Sequence, residues 1–551
     1  MSQKLVDPQP IGGYHGITVQ LPSVQMNIDY EEGKIKLRRG YSRLLAHPEV
    51  RRLEQEYTER YQANETFAFF SPECALFVLM DALFKKGSQG FHFKGDVFLP
   101  TYKFLMQTAG NIVAETSQIK ASVIFIDLSE SYAIPAAADK LRIGFDVRRT
   151  LPPASSKSLD ALILAHPAEN AGFIVCFNPA VTELIAGLRR HTGFNLNSRT
   201  AERINQQKRF TLPNQIDSLK RNLAQLEKTE PEQVFLYPTG MGAISAAVLT
   251  ALSPERSKLV MIGSPYTDTR SLLEKWHWRR GSTPSVFLEV DDYQGMQRAI
   301  DDETALVLCE IPTNPLLRIP DLEKVVHLAH QTGAQVMVDN TIATPYNLNP
   351  FDYDADFIVH STTKFLNGLN DHIGGALLLR ETSQISRIVA FNSMLNIDMA
   401  PDDAFILHRN LTHFGDRMEK INHNALVLAQ YLENQPKVKC VHFPGLASHP
   451  DHAVAKKYLR GFSGLMSFEL AGDIEKTTRA FYDHLGDPIL KGPSLGSEQS
   501  LICLYTILAH YDDPPEKLAR MGLNLFLLRI SVGIEAIDEI INAFEVAFSK
   551  I

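Results

Sequence analysis

The sequence predicts an α/β protein with a mostly parallel central sheet, a smaller α+β unit at its C-terminal end and an α/β N-terminal extension. Three observations carry this reading. Short apolar runs rich in β-branched residues recur between positions 258 and 360, amphipathic helical patterns separate several of them, and the texture changes after about position 395. Apolar strands alternating with helices form a parallel sheet, because the crossover helices cover both of its faces.

Taken in order, residues 1–210 read as the extension. Tyr41–Leu83 contains GYSRLLAHPEVRRLEQEY and then FAFFSPECALFVLMDAL: a Pro-containing turn, a helix, a strand and the start of a second helix. Ala121–Ile126 reads as a strand, and Leu151–Ser158 as a Pro/Ser-rich break. Residues 211–395 form the large unit, with strands predicted at Lys258–Gly263, Ser285–Val290, Ala305–Glu310, Gln335–Asp339 and Asp356–His360. Leu322, Val325, Val326 and Ala329 give Asp321–His330 one apolar helical face, and Gly333 stands where that helix stops. Residues 396–551 hold a long helical pattern over Asp402–Glu433 with Gly415 as its interruption, weaker β segments, and a closing helix at Ala536–Ser549. The segment LPNQIDSLKRNLAQLEK, followed by VFLYPTGMGAISAAVLTAL, repeats the element order of Tyr41–Leu83. Duplication and shared α/β texture explain that repeat equally well. The turns differ: Thr-Gly-Met-Gly in the second segment, Ser-Pro-Glu-Cys in the first.

Composition excludes several classes. With 551 residues the chain is long enough for two to four domains, and 55 basic against 63 acidic side chains leave it at −8, without the basic footprint of a nucleic-acid binder. No apolar run approaches a membrane span, and no apolar stretch follows a basic start at the N-terminus. Cys74, Cys176, Cys309, Cys440 and Cys503 are odd in number and form no CxxC pair, so neither a disulfide framework nor a metal cluster is expected. A cytoplasmic protein without membrane or nucleic-acid partners is the expectation.

Four places can carry chemistry. HSTTK, His360–Lys364, follows an apolar strand and puts Ser361, Thr362, Thr363 and Lys364 where open α/β sheets bind ligands. Taken alone, Lys364 is equally a solvated loop lysine. Asp339 ends the strand QVMVD, where an acid needs a cation or a donor; a helix cap or Asx turn would serve as well. YPTGMG, Tyr237–Gly242, joins a strand to a helix and can cradle a phosphate on backbone N–H groups. Arg529 lies in the apolar run LLRISVG, paired either with a structural acid or with a ligand carboxylate. Together they supply a phosphate cradle, an amine, an acid for a ring cation and a carboxylate clamp. Pyridoxal 5'-phosphate (PLP) acting on an amino acid requires that set.

VMVDNTIATPYNLNP, HSTTKFLNGLNDHIGGALLLR, EIPTNPLLRIPDL and LLRISVGIEAIDEII closely resemble the Cys/Met-metabolism PLP enzymes: cystathionine γ-synthase, the β- and γ-lyases and the O-acylhomoserine sulfhydrylases. ITVQLPSVQMNIDYEEG, GYSR, NSRTAERI and GPSLGSEQSLICLYTILAHY resemble the long fungal-type cystathionine γ-synthases. The resemblance implies the fold-type I, aspartate-aminotransferase-like architecture. It implies that Lys364 binds the cofactor covalently, that Asp339 pairs with the ring nitrogen near Thr341, and that Gly240, Met241, Ser361 and Thr363 hold the phosphate. It implies Tyr266 as a catalytic residue stacked on the cofactor, and Asn314, Arg529 and Ser500 as substrate-binding residues, Ser500 near the lysine. It also implies that a Tyr-x-Arg pair, here Tyr41 and Arg43, reaches the phosphate of a neighbouring subunit, with Arg199 a competing candidate, in a homodimer or homotetramer. Gln499 and Leu369 depart from the family pattern, at positions expected near the substrate. The implied reaction is γ-replacement on an O-acyl-L-homoserine by L-cysteine. Sulfhydrylation, cystathionine cleavage and a regulatory protein with a relic PLP site are the alternatives.

Overall fold

The computed structural model of the chain describes residues 4–38, 46–85, 91–94, 112–115, 125–127, 142–146, 160–166, 169–206, 213–253, 255–275 and 284–551. Its central sheet has seven strands in the order Val234–Tyr237, Gly375–Leu379, Phe357–His360, Gln335–Asp339, Thr304–Glu310, Lys258–Ile262 and Val286–Leu288. Neighbours run parallel except at Gly375–Leu379, which is antiparallel to both strands beside it. Thr304–Glu310 is buried throughout, as an inner strand covered on both faces must be. Because most strands point the same way, Glu310, Asp339 and His360 all end at one edge of the sheet.

Local chemistry sets the helix ends. Leu322–Thr332 buries the four apolar residues of its predicted face and stops at Gly333, whose φ of 75° suits a residue without a Cβ. The long C-terminal helical pattern divides into Pro401–Asn410, a short 3-10 turn at Leu411–His413, and Phe414–Glu433. The break thus precedes Gly415, which lies in the first turn of the second helix. The reason is tertiary: the Arg417 guanidinium takes the Asn410 carbonyl and those of Phe365 and Leu366.

A second seven-stranded sheet runs Glu65–Phe69, Gly172–Cys176, Ala161–Ala165, Arg142–Asp146, Phe125–Asp127, Phe91–Lys94 and Ile112–Glu115. The strand expected at Ala121–Ile126 is described only from Phe125, and Leu151–Ser158 lies outside the described residues. Phe69, Phe77 and Val78 of this unit share one apolar core with Tyr237, Ile244 and Leu377 of the central one. The third sheet has five strands, Val438–His442, Leu465–Leu470, Leu528–Ser531, Leu501–Leu504 and Leu490–Lys491. Helices Phe414–Glu433, Ile474–His484 and Ile537–Phe548 pack on it.

The N-terminal arm docks far from its place in sequence. Val24 and Ile28 join the core of the C-terminal sheet, the Leu21 N–H donates to the Lys491 carbonyl at 2.7 Å, and the Val24 N–H donates to Asp483 Oδ1 at 2.8 Å. Among the described residues no helix is long and apolar enough to cross a membrane.

Candidate active site

A cavity of about 240 Å³ opens at the edge where the central strands end. Thr239, Gly240, Met241, Tyr266, Glu310, Asn314, Asp339, Thr341, Ser361, Thr363, Lys364 and Arg529 all border it, so most of the residues singled out in the sequence meet around one space.

The anion end is built from the turn before helix Gly240–Ala251. Thr239 caps that helix, its hydroxyl accepting from the Gly242 N–H at 2.9 Å. A Cβ on Gly240 would stand 2.9 Å from Ser361 Cβ, and one on Gly375 would stand 2.2 Å from the Thr239 carbonyl. Only glycine lets these two backbones approach so closely, which leaves Ser361 beside the N–H groups of the helix start. The Ser361 N–H in turn donates to Thr341 Oγ1 at 2.8 Å. Thr363 Oγ1 accepts from the Gly374 N–H at 3.0 Å and donates to its carbonyl, which fixes the loop carrying Lys364.

The other end is acidic. Asp339 accepts from the Thr341 N–H at 3.0 Å, and burial raises its carboxyl above the usual range. Glu310 is its partner in register on the next strand and accepts from the Tyr266 N–H at 2.6 Å. Burial first, and the Asp339 charge second, push Glu310 well above an ordinary carboxylate. Two buried acids side by side fit a cationic group, which would lower both. Behind them the buried Glu227 Oε1 lies 2.6 Å from His360 Nε2 and accepts from Asn340 Nδ2 at 3.0 Å.

Lys364 Nζ donates to Ser494 Oγ at 3.1 Å. Arg529 is buried on the inner strand Leu528–Ser531; it donates to Asn314 Oδ1 and to the Ser494 carbonyl, each at 3.1 Å, and lies 5.0 Å over the Tyr505 ring. No acid among the described residues forms an ion pair with it. A buried guanidinium in that state is a ready partner for a small carboxylate.

Other positions fall elsewhere. Ser500 does not border the cavity: its hydroxyl donates to Glu535 Oε2 at 2.9 Å and accepts from the Gly533 N–H, and Ser494 is the hydroxyl beside the lysine. Leu369 and Gln499 are exposed and do not border the cavity wall, so these departures from the family pattern leave its lining unchanged. Arg199 is held by Asp403 Oδ1 at 2.8 Å and the Asp371 carbonyl at 2.5 Å, away from the wall. Tyr41 and Arg43 lie outside the described residues, although Ala46 and His47, just after them, border this same chain's cavity. Glu310 was missed although it ends an apolar strand as Asp339 does; the same signal would have found it. Ser494 has no local signal, since only folding brings it to a lysine 130 positions away.

Residues 180–549 match the model of the family described as Cys/Met metabolism PLP-dependent enzyme. The chain belongs to that family. PLP is therefore its cofactor, and the glycine cradle and buried acid pair fit the phosphate and ring of that group. The chain is 34% identical to the cystathionine gamma-synthase of Escherichia coli, over 60% of this chain and 84% of that protein. It is 35% identical to the cystathionine gamma-lyase of Dictyostelium discoideum, over 48% of this chain and 68% of the relative. Among solved structures it resembles cystathionine gamma synthase from Xanthomonas oryzae pv. oryzae in complex with cystathionine, with a TM-score of 0.57 and 34% identity, covering 62% of this chain and 88% of that one.

Proposed function

We propose that this chain joins an O-acyl-L-homoserine to L-cysteine, a γ-replacement that yields L-cystathionine and releases the acyl group. The observation that carries an amino-acid substrate is Arg529: a buried guanidinium, without an acid partner among the described residues, in the same cavity as Lys364. The choice of γ-replacement rests on the likeness to cystathionine γ-synthases by sequence and by structure.

When bound, PLP supplies an electron sink conjugated to the substrate amine. In this reading the N–H groups at Gly240 and Met241, with the Ser361 and Thr363 hydroxyls, would bind the phosphate, Asp339 would keep the ring nitrogen protonated, and Tyr266 would help to hold the ring. Arg529 and Asn314 orient the substrate carboxylate, which fixes the Cα proton toward Lys364. The Lys364 amine removes that proton and returns protons farther along the substrate chain as the acyl group leaves and the cysteine sulfur bonds to Cγ. Ser494, 3.1 Å from Nζ, keeps the amine in line between turns.

Mass-spectrometric product analysis with O-succinyl- and O-acetyl-L-homoserine, each with and without L-cysteine, tests the proposal. Cysteine-dependent cystathionine is the expected product. Release of 2-oxobutyrate alone would replace γ-replacement by a lyase reaction. Product only with sulfide would make the chain a sulfhydrylase.

A further inference from the structure

The two seven-stranded sheets have the same plan. Numbered by position along each unit, the strands of both lie in the order first, seventh, sixth, fifth, fourth, second, third. In both, the seventh strand is antiparallel to the first and the sixth, and the fifth and sixth run parallel. One strand differs: Phe125–Asp127 runs antiparallel to its neighbours, where Thr304–Glu310 runs parallel to its own.

The helices agree as well. Pro48–Tyr61 and Ile216–Glu227 precede the first strands, and both end on a left-handed residue, Gln62 and Lys228. Pro179–Thr192 and Ile385–Leu395 follow the seventh strands and end likewise on Gly193 and Asn396. Gly172 approaches the Ser71 carbonyl as Gly375 approaches that of Thr239. Ser71 and Thr239 each cap the next helix, accepting from the Cys74 N–H at 3.0 Å and the Gly242 N–H at 2.9 Å.

The corresponding turns and helix ends also meet across the boundary between the units. Thr239 Oγ1 donates to the Gly193 carbonyl at 2.7 Å, while Ser71 Oγ donates to the Leu395 carbonyl at 2.5 Å. Each cap thus bonds the end of the other unit's helix. Reciprocal contact of this kind is the mark of a two-fold dimer interface, here found inside one chain.

We infer that residues 46–206 are a second copy of the cofactor-binding unit that has lost its own site and occupies, within the chain, the position of a partner subunit. The lost site is legible. Between the sixth and seventh strands the catalytic unit has residues 361–374, with Lys364; the copy has only His166-Pro-Ala-Glu-Asn-Ala171, without a lysine. At the turn that corresponds to the phosphate cradle, Pro72 lacks an N–H and Glu73 puts a half-buried carboxyl in the first turn of the helix, where it would repel an anion. What the copy retains is a wall: His47, Asn195, Asn197 and Ser198 border the catalytic cavity of the same chain. Each chain therefore completes its catalytic cavity in cis, and the sharing between subunits implied by the family resemblance is internal. The inference does not rest on γ-replacement.

Asn170 and Asn396, exposed and bonded to each other across the two units, allow a test. The holoenzyme carrying Asn170→Cys with Asn396→Cys is bridged by mild oxidation or a short bis-maleimide and run on a non-reducing gel. A closed bridge at single-chain mass, with two thiols lost, is expected. Species of twice that mass, or no bridge at all, would overturn pairing in cis. Borohydride reduction and peptide mapping test the lost site: one cofactor per chain on Lys364, and none in Lys364→Ala. A stoichiometric label on any lysine of residues 46–206 would overturn it.

Discussion

Lys364, Arg529 and Glu310 each make a separable prediction. Lys364→Ala should abolish borohydride-trapped cofactor and lower turnover by roughly 10³-fold or more, since it removes both the anchor and the acid–base group. Arg529→Lys keeps a charge but loses the fork that meets a carboxylate. With charge-assisted bonds contributing about 1.5–3 kcal/mol, KM for the homoserine ester should rise roughly ten- to hundredfold while cofactor absorbance is retained. Glu310 and Asp339 both have raised carboxyl pKa values, caused first by burial. A group raised on folding holds its proton longer in the folded state, so the cofactor-free protein loses stability as pH rises above the ordinary carboxylate range. Glu310→Gln keeps the acceptor for the Tyr266 N–H and removes one of the two charges. Its cofactor-free form should melt higher than wild type at pH 8 and show no such gain near pH 4. Most of this site was legible because strand ends and hydroxyl-rich loops mark themselves locally. Ser494 and the wall residues were not, because their placement depends on contacts across hundreds of positions.

At the scale of elements, the meeting of two turns matters most. Gly375 begins the antiparallel strand and leaves no room for a Cβ against the Thr239 carbonyl. Gly375→Ala should cost about 1–3 kcal/mol in urea unfolding and weaken cofactor binding, because the strand must back away from the cradle. Nothing local in the sequence marks this crowding, since the crowding atom lies in the turn before helix Gly240–Ala251, far away in the chain. Apolar runs located the five strands between positions 258 and 360, and the helix Leu322–Thr332, to within a few residues, but not the antiparallel strand Gly375–Leu379. Periodicity placed the C-terminal helix break too late, because the Arg417 guanidinium, and not Gly415, diverts the backbone there.

Across the whole molecule, buried ion pairs link the two units. Arg199 meets Asp403 and Arg203 meets Asp402 across the boundary, while Glu169 holds the Arg203 guanidinium from within its own unit. Burial alone would raise Asp403, but the His372 ring and the Arg199 charge hold it below the usual range. A carboxyl depressed on folding contributes stability above its unfolded pKa of about 3.9 and loses it as pH falls through the depressed value. Asp403→Asn should therefore destabilise the protein by about 3 kcal/mol at pH 7 in urea, and by much less near pH 3. The α/β texture of the first 200 residues was readable, and so was the repeat around Tyr41–Leu83. That the repeat reflects a shared sheet plan was not, because strand order is a property of pairing and leaves no mark on any single segment.

The N-terminal arm has a consequence in time. Val24 and Asp483 are bonded across 459 positions, so at 5–20 residues per second the ribosome needs on the order of tens of seconds to supply the partner. Throughout that interval Val24 and Ile28 lack the apolar cluster that receives them. A segment made well before its partner is thus among the last to be seated, and a nascent chain halted short of the C-terminal sheet carries it bare. Such truncated products should be bound by chaperones through this arm.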